Sequence, residues 1–253
     1  MTITYQNRIV AFIDVLGFSD LVYSKDTALI TKYFDYVLED SVAYIKKFKF
    51  NYHLISDSIV ITTLAHRENL KSLLLFLSSL QSKLLFEGIL VRGAISSGDI
   101  YSNKKMNILV GPGLINAYKL ESKSIYPRVI LDRNLINEFS EGTSDALSFF
   151  AINDYTPLLC ITPQPYIPDF LFINYVYINL RGYSWIQYQI FIDLFRKYYF
   201  KNEHIEKYQW FKNYIYCQAI ERQSQLDNLQ KDTTRLRVRK RHLQRFIEEL
   251  NKL

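Results

Sequence analysis

The first half of the chain alternates between short apolar runs and longer amphipathic segments. Residues 8–14 are apolar and β-branched, which predicts a buried strand. Residues 16–47 carry apolar side chains at helical spacing and predict a helix. Two strands are predicted over 51–63, with "SDS" as the hairpin turn between them, and a second helix over 68–88 that ends at Gly88.

The alternation continues to about residue 140. Strands are predicted over 89–101, 107–111 and 128–131, and helices over the "PGLINAYKLES" stretch and over 133–140. The order β-α-β-β-α-β-β-α-β predicts an α+β fold, with a mixed or antiparallel sheet and helices on one or more of its faces. Its core corresponds to the ferredoxin-like arrangement, a repeated split βαβ unit.

The pattern changes near residue 155. The stretch "TPLLCITPQPYIPDF" is rich in proline, which is typical of a connecting segment. We therefore predict three parts: a domain over 1–155, a connecting segment over 156–183 and an aromatic-rich helical region over 184–253. The helical region divides into three predicted helices, over 184–200, 203–222 and 225–252.

Leucines recur every seven residues in the last predicted helix, at Leu229, Leu236, Leu243 and Leu250. Such a repeat is typical of a coiled-coil seam. The intervening positions include Asp232 and Arg239, which suit a seam poorly. A helix that packs on its own domain therefore remains the alternative to a seam between two chains.

Composition narrows the class of protein. The chain has 253 residues, of which 49% are hydrophobic and 22% charged, as in an ordinary globular protein. The two cysteines, Cys160 and Cys217, lie far apart and outside any CxxC pattern, so reduced thiols in a cytoplasmic protein are expected. The first residues lack the features of a secretory leader, and no apolar stretch reaches membrane-spanning length, so no membrane span is expected.

Two acidic residues stand where strands are predicted to end. Asp14 closes an apolar strand, where an ionised carboxylate is costly unless it is paired, hydrogen-bonded or bound to a metal. Asp57 lies in the predicted hairpin turn. Each residue also has a purely structural interpretation. Asp14 would cap the following helix or turn, and Asp57 would be an ordinary turn residue. Together, at one end of adjacent strands, they predict a site of hard oxygen ligands for Mg²⁺ or Mn²⁺.

A candidate phosphate site follows Asp14 directly. Gly17 allows a tight turn, and the backbone amides at the start of the next helix are free to bind an anion. We therefore predict phosphate contacts at Leu16, Gly17 and Phe18. No GxxxxGK[ST] motif occurs, which argues against a P-loop.

Four stretches resemble, in order, the motifs of the class III nucleotidyl cyclases, the catalytic domains of adenylate and guanylate cyclases. They are "AFIDVLGFSDLV", "LISDSIVITT", "VRGAISSGDIY" and "GPGLINAYKLES", and they span about residues 8–131. In size the chain further resembles the stand-alone bacterial Pycsar cyclases, which make cyclic pyrimidine mononucleotides in antiphage defence.

The resemblance implies a cytoplasmic homodimer with nucleotide sites at its interface. Asp14 and Asp57, with the backbone carbonyl of Val15, would hold two Mg²⁺ or Mn²⁺ ions. A nucleoside triphosphate would be converted to its 3′,5′-cyclic monophosphate and pyrophosphate. The substrate implied is UTP or CTP, with ATP or GTP as the alternatives.

The chain departs from the family pattern at two places. The family's transition-state Asn falls on Ile115 and its Arg on Lys119, so Lys119 and Arg92 become the candidates for stabilising phosphate charge. For Lys119 the alternative is a solvated lysine on a helix surface, and for Arg92 it is a structural ion pair. This departure keeps open a degenerate cyclase-like module that binds nucleotide without turnover.

Base recognition is the second departure. His53 stands where purine cyclases carry a base-reading lysine, and it shares a strand face with Asp57. Tyr52 is a candidate base contact only if the strand bulges. A packed His and Tyr on a sheet is the structural alternative.

A basic run, "RLRVRKRHLQR", lies near the C-terminus. Electrostatic binding to nucleic acid or anionic lipid is one interpretation. A solvated helix face or a dimer contact is favoured, so no nucleic-acid partner is expected.

Overall fold

The computed structural model describes residues 3–48, 50–103, 105–151, 158–161, 170–176, 180, 185–198, 205–229 and 233–253. Within these ranges the side chains of 38–46, 143, 197 and 198 are left aside. The chain divides into two compact units, Met1–Asn174 and Tyr175–Leu253. Each unit is described by itself.

The first unit alternates strands and helices as the hydrophobic pattern predicts. Its strands are β1 (Gln6–Val15), β2 (Asn51–Ile55), β3 (Ser58–Leu64), β4 (Val91–Asn103), β5 (Ile108–Val110), β6 (Val129–Leu131), β7 (Leu159–Cys160) and β8 (Phe172–Ile173). Its helices are α1 (Phe18–Tyr23), α2 (Thr27–Phe48), α3 (Arg67–Phe86), α4 (Pro112–Glu121), α5 (Arg133–Phe139) and α6 (Thr143–Phe149).

The sheet has a ferredoxin-like core. Its strands lie in the order β2-β3-β1-β4, and each neighbouring pair is antiparallel. The sheet continues with β6, parallel to β4, and then with β8 and β7, while β5 pairs with the far end of β4. The predicted α+β class, with a mixed sheet and helices, is confirmed.

The predicted helix over 16–47 is wrong in one respect, because it is two helices. Lys25 adopts a left-handed backbone conformation, with φ of 54°, between α1 and α2. An Asp26 side-chain oxygen then accepts a hydrogen bond from the Leu29 amide at 3.0 Å, as at a helix N-cap. The apolar periodicity runs across this break, so spacing alone did not reveal it.

Two elements lie outside the predicted pattern. Helix α6 follows α5 where no element was expected. Strands β7 and β8 fall inside the predicted connecting segment over 156–183, and they extend the sheet. Much of that segment lies outside the described residues, so the predicted domain boundaries stay a prediction.

Glycines allow α4 to approach the sheet closely. A Cβ atom added to Gly98 would lie 2.9 Å from the Cα of Gly113, and one added to Gly113 would lie 2.9 Å from the Gly98 carbonyl oxygen. At Gly111 an added Cβ would lie 2.2 Å from the Asp99 carbonyl oxygen. Since real Cβ atoms do not come so close, only glycine permits this docking.

A small apolar core forms between α4 and the sheet. It contains Val10 of β1, Val60 of β3, Ile100 of β4 and Ala117 of α4. Phe12 packs against this core from the sheet, so side chains at even positions of β1 face α4. The same alternation places Asp14 on this face.

The described part of the second unit is helical. Its helices are α7 (Trp185–Tyr198), α8 (Ile205–Asp227) and α9 (Thr234–Lys252). Aromatic side chains form much of its interior. Tyr188 stacks on Phe246 with ring centroids 4.7 Å apart, and Phe195 contacts Phe211.

The last predicted helix, over 225–252, begins later than expected. The Thr233 side chain accepts a hydrogen bond from the Leu236 amide at 3.2 Å and caps α9. Leu229 therefore lies before the helix and is exposed. The other three leucines of the repeat are buried within a single chain, as expected for a helix that docks on its own domain. They are Leu236, Leu243 and Leu250.

None of the described helices is long and apolar enough to cross a membrane.

Candidate functional site

Asp14 lies at the end of β1, between two neighbouring strands. The backbone register places it opposite Ser58 of β3 and Arg92 of β4. Residues directly opposite in antiparallel strands share a face, so Arg92 also faces α4. The strand-end position expected for Asp14 is what the structure shows.

Asp57 lies in the two-residue turn that joins β2 to β3. The preceding residue, Ser56, takes the left-handed conformation with φ of 58°, which allows this tight turn. The Tyr33 hydroxyl donates a hydrogen bond to the Asp57 backbone carbonyl at 3.3 Å. Tyr33 is fully buried and thereby anchors the turn to α2.

The structure brings Asp14 and Asp57 to the same end of the sheet, because Asp57 directly precedes Ser58, the residue of β3 that pairs with Asp14. Burial raises the pKa of Asp14 above its ordinary value, and the negative charge of Asp57 raises it further. The Arg92 guanidinium opposes this by lowering the same pKa. Two acids that repel each other, with one cation beside them, form a local excess of negative charge.

Arg92 bridges two acidic side chains. Its Nε lies 3.2 Å from Asp14 Oδ2 and 2.7 Å from Glu121 Oε1. The Glu121 side chain is only 5% exposed, and burial raises its pKa, with Arg92 opposing that shift. Arg92 was predicted as a phosphate contact, and the structure places it in an ion-pair network beside Asp14.

Tyr52 lies on the side of the sheet away from α4, because it pairs with Ile61 of β3, and its charge affects the buried Tyr33. The pKa of Tyr33 is raised by burial first, and then by the charges of Tyr52, Asp57 and Asp14. The regular pairing of β2 with β3 shows no bulge at Tyr52. Tyr52 therefore does not share a face with His53. Its predicted contact with a base required a bulge in the strand, and the strand has none there.

A pocket of about 350 Å³ opens on the α4 face of the sheet. His53 lines it, together with Phe12, Asn107, Ile115 and Tyr118. The pocket also contacts Leu54, Ile55, Val60, Leu109 and Leu114. Its volume lies within the range of small-molecule sites.

One polar pair stands among these apolar walls. His53 Nδ1 lies 3.2 Å from the Asn107 side-chain oxygen. That oxygen only accepts, so a hydrogen bond between these atoms places a proton on Nδ1. With the ring neutral, His53 Nε2 would be an acceptor, and the Asn107 amide group would be a donor. Asn107 also adopts a left-handed backbone with φ of 52°.

Helix α4 carries both residues that replace the family's transition-state Asn and Arg, and they differ in their surroundings. Ile115 lines the pocket and is about half exposed. Lys119 is exposed one turn further along the helix. Tyr118 contacts Phe12 edge to face, with ring centroids 5.5 Å apart, and so fixes this part of α4 against β1.

The predicted phosphate contacts lie directly after β1. The Leu16 amide already donates to the Leu90 carbonyl at 2.9 Å, so it is engaged within the sheet. Gly17 takes the left-handed conformation, with φ of 73°, and precedes α1. The amides of Gly17 and Phe18 remain candidates for phosphate. Val15 is the last residue of β1, beside Asp14.

A divalent cation fits the acidic pair on chemical grounds. Asp14 and Asp57 supply carboxylate oxygens, and the Arg92 guanidinium already acts as a cationic partner of Asp14. No group of three or more His, Cys, Asp or Glu forms a metal cluster among the described residues. Mg²⁺ commonly uses only one or two carboxylates, and completes its shell with water and substrate phosphates.

Sequence reasoning missed four side chains of this region: Tyr33, Asn107, Tyr118 and Glu121. Glu121 stood inside a quoted motif, and its four-residue spacing from Ala117 was a signal that it faces the sheet. Asn107 and Tyr33 gave no comparable signal. Their proximity to the site depends on contacts between distant segments.

The fold and the site together define a ferredoxin-like domain with a paired-carboxylate centre at one end of its sheet. No family model matches the chain, and no curated protein matches it. Several solved structures are similar to it. The guanylyl cyclase Cya2 is 11% identical over 68% of this chain and 93% of that one, with a TM-score of 0.48.

Two further cyclase structures are similar at the same level. The adenylyl cyclase CyaB from P. aeruginosa is 13% identical over 68% of this chain and 95% of that one, with a TM-score of 0.48. The guanylyl cyclase domain of RhoGC from Blastocladiella emersonii is 15% identical over 69% of this chain and 98% of that one, with a TM-score of 0.46. The likeness is distant, and the function proposed below is drawn from this chain's own residues.

Proposed function

We propose that the chain is a metal-dependent nucleotidyl cyclase that forms a 3′,5′-cyclic mononucleotide and pyrophosphate. The observation that carries the proposal is the convergence of Asp14 and Asp57 at one end of β1, beside Arg92. This convergence joins two motifs that resemble the metal motifs of class III cyclases. The pocket lies on the same face of the sheet.

The reaction is an internal phosphoryl transfer. The 3′-hydroxyl oxygen of the substrate forms a bond to its own α-phosphorus, the bond from that phosphorus to the leaving pyrophosphate breaks, and the hydroxyl proton is released. Two Mg²⁺ or Mn²⁺ ions bound between Asp14, Asp57 and the Val15 carbonyl would supply charge neutralisation and activation of the attacking oxygen.

The remaining residues bind and orient the triphosphate. The amides of Gly17 and Phe18, at the N-terminal end of α1, would donate hydrogen bonds to a phosphate. Arg92 and the exposed Lys119 add positive charge. As a point charge without a fork of donors, Lys119 neutralises phosphate but does not fix its orientation.

The base is proposed to be a pyrimidine, bound in the pocket. The purine-reading lysine of the family is replaced by His53, which shares a hydrogen bond with Asn107. That pair offers one acceptor and one donor, which suits the N3–H and O4 of uracil or the N3 and N4 amine of cytosine. The resemblance to the pyrimidine cyclases extends the proposal to a signal in bacterial antiphage defence.

Replacing Asn107 with Gly tests the base assignment. Gly tolerates the left-handed backbone of this position, so the change removes the amide without adding strain. Loss of one hydrogen bond to the base is expected to raise KM for the preferred nucleotide about tenfold, with kcat changed less than about threefold. Steady-state kinetics with all four nucleotides measure both.

Asn134→Ala is the control, because Asn134 is exposed on α5, outside the pocket. It is expected to leave both constants unchanged. An Asn107→Gly variant with unaltered KM and an unaltered order of nucleotide preference would refute a role for Asn107 in reading the base.

A homodimer is proposed because the pocket has an exposed apolar rim. Ile55, Ile115 and Tyr118 are each more than half exposed, although all three line the pocket. Exposed apolar patches of this kind mark interaction surfaces. A second copy of the chain would cover the rim and enclose the nucleotide.

The alternative is a cyclase-like module that binds nucleotide without turnover. Ile115 favours this alternative, because it replaces the polar transition-state residue of the family with an apolar wall. Tight nucleotide binding without any cyclic product would support it.

The deciding experiment uses the purified 253-residue chain. Light scattering first gives the molar mass, for which a dimer is expected. The protein is then incubated with Mn²⁺ and, separately, with UTP, CTP, ATP and GTP, and the products are separated by chromatography. Cyclic pyrimidine monophosphate and pyrophosphate are expected, and the absence of cyclic product from all four nucleotides contradicts the proposal.

A further inference from the structure

The charges of α9 run against the dipole of the helix. Arg235 and Arg237 lie at its N-terminal end, where the dipole is positive, and its first turn contains no acidic residue. Glu248 and Glu249 lie near its C-terminal end, where the dipole is negative and Lys252 pairs with Glu249 at 2.8 Å. Helices are stabilised by the opposite arrangement of charges. Stability of the helix therefore does not explain why its first residues are basic.

The start of α9 decides where the basic run stands in the helix. The sequence predicted a helix from residue 225, which would place the run in its interior, and a solvated face or a dimer contact was favoured for it. The structure caps the helix at Thr233, so the run begins in the first turn. The backbone amides of a helix start add positive potential to that of the arginines.

Three arginines form a row along the exposed side of α9. Arg237, Arg241 and Arg245 are spaced four residues apart, so each lies about 6 Å along the helix from the next and on nearly the same face. All three are exposed, and we call this row the arginine stripe. Like charges at this spacing destabilise a helix. No acidic residue occurs between Thr233 and Ile247 to offset them.

Packing of α9 does not require the arginine stripe. The buried residues of the helix are apolar, and they are Leu236, Leu243, Phe246, Ile247 and Leu250. The charge of the neighbouring Lys240 is compensated, since its ammonium nitrogen lies 2.9 Å from an Asp227 carboxylate oxygen of α8. Within the described ranges, no carboxylate forms an ion pair with Arg241 or Arg245. The charge of these two arginines is therefore available to an external partner.

Arg245 is held in place by an aromatic ring. Its guanidinium carbon lies 4.0 Å from the centre of the Trp185 ring, a cation–π contact. His242 contacts the same ring, with ring centroids 6.5 Å apart. A cation–π contact orders the arginine side chain without an acceptor atom, so the N–H groups of Arg245 remain donors for an anion.

We propose that the arginine stripe of α9 binds the phosphate backbone of nucleic acid. Guanidinium groups form paired hydrogen bonds with phosphate oxygens, and the stripe presents three of them at regular intervals. A nucleic-acid strand carries its phosphates in a regular row, so it offsets the like-charge repulsion along the stripe. The inference concerns the second unit alone and does not depend on the proposed function.

An anionic membrane fits α9 less well than nucleic acid does. Amphipathic helices that bind membranes bury their apolar face among the lipids. The apolar face of α9 is already buried within its own unit. Because contacts to phosphates carry no sequence information, the stripe is expected to bind nucleic acid irrespective of sequence.

The salt dependence of binding to duplex DNA tests the stripe. The purified 253-residue chain is titrated into a short fluorescent duplex of mixed sequence, and the anisotropy gives the affinity at several salt concentrations. Contacts from the stripe to phosphates are expected to give a slope of log affinity against log salt of about −2 to −3. A second duplex of unrelated sequence is expected to bind within about twofold of the first.

Arg241→Gln removes the central charge of the stripe. It is expected to weaken DNA binding about threefold to tenfold near physiological salt and to make the slope shallower by about 1. Arg133→Gln is the matched control, because Arg133 is an exposed arginine on α5 of the first unit, and it is expected to bind DNA as the wild type does. Arg241→Gln is also expected to unfold at an equal or higher temperature than the wild type, since it relieves like-charge repulsion. A structural role for Arg241 would lower that temperature.

Each outcome decides the inference. Absence of salt-dependent DNA binding, or equal binding by Arg241→Gln and Arg133→Gln, overturns it. Binding to vesicles that contain phosphatidylserine without binding to DNA assigns the stripe to a membrane and overturns it as well. A change from dimer to monomer in Arg241→Gln, measured by light scattering, makes the stripe a contact between chains and has the same consequence. If Arg241→Gln does not fold, Arg237→Gln replaces it under the same expectations.

Discussion

Asp14→Asn and Asp57→Asn are each expected to reduce formation of cyclic nucleotide by at least about a thousandfold. Both variants keep the size of the side chain but replace one accepting oxygen with an amide NH2 donor, and so remove the anionic oxygen that a divalent cation requires. Since the two carboxyl groups lie together at the end of β1, loss of either one is expected to disable the same centre. The product assay with Mn²⁺ and the preferred nucleotide measures the effect.

The stability of the Asp14→Asn variant provides a second readout. An acid whose pKa is raised by folding destabilises the folded state once pH rises through its unfolded pKa and the group ionises. Asn cannot ionise, so the variant is expected to unfold at an equal or higher temperature than the wild type near neutral pH. If Asp14→Asn is at least as stable as the wild type, its loss of activity is not caused by unfolding.

Asp20→Asn is the control for this pair, because Asp20 is an exposed acid on α1. It is expected to retain full activity. Retained turnover in Asp14→Asn or in Asp57→Asn would refute the metal assignment. An equal loss of activity in Asp20→Asn would indicate that removal of any nearby negative charge lowers activity, and not the loss of a metal ligand.

Gly111→Ala is expected to lower the free energy of unfolding by about 4 kcal/mol. Gly111 precedes α4 with φ of 153°, a conformation that L side chains rarely adopt. An added Cβ would lie 2.2 Å from the Asp99 carbonyl oxygen and 2.9 Å from the Ile100 Cα, both backbone atoms that cannot rotate away. Urea titration followed by far-UV circular dichroism measures the loss.

Gly142→Ala separates backbone strain from collision. Gly142 also has a positive φ, of 114°, but an added Cβ meets no atom within 4 Å. It is expected to cost only the strain, about 1–2 kcal/mol. Equal losses in the two variants would show that α4 is not docked as closely as the structure has it.

The consequences of Gly111→Ala extend to the site. A displaced α4 would move Ile115 away from the pocket and Glu121 away from Arg92. The variant is therefore expected to lose activity even under conditions in which most of the chain is folded. Wild-type activity in a folded Gly111→Ala protein would show that the position of α4 is not critical for the site.

Much of the fold was predictable because it depends on local periodicity. The short apolar, β-branched run of β1 and the helical spacing in α3 specify a strand and a helix over a few residues. The predicted order of elements already implied a split βαβ unit, and the observed strand order confirms it. The break at Lys25 was not predictable from spacing, because the apolar pattern continues across it while a capping Asp26 interrupts the helix.

Only part of the site was predictable, because local features can be recognised in the sequence and contacts between distant segments cannot. Asp14 and Asp57 were recognisable because strand ends and hairpin turns are local features that carry strong residue preferences. The bridge from Glu121 through Arg92 to Asp14 joins three segments that are distant along the chain. No local rule relates these segments, so the partners of Arg92 were not predictable.

The sequence by itself determined the class of fold, the paired acids and the replacement of the family's Asn by Ile115, since each depends on residue type and short-range spacing. Only the tertiary structure decided that Tyr52 and His53 face opposite ways in an unbulged strand, that Asn107 completes the polar pair in the pocket, and that Arg92 forms ion pairs with both Asp14 and Glu121. The physical reason is that strand register and the close docking of α4 on glycines set the distances between side chains. Those distances, rather than the identities of the residues, determine which charges interact.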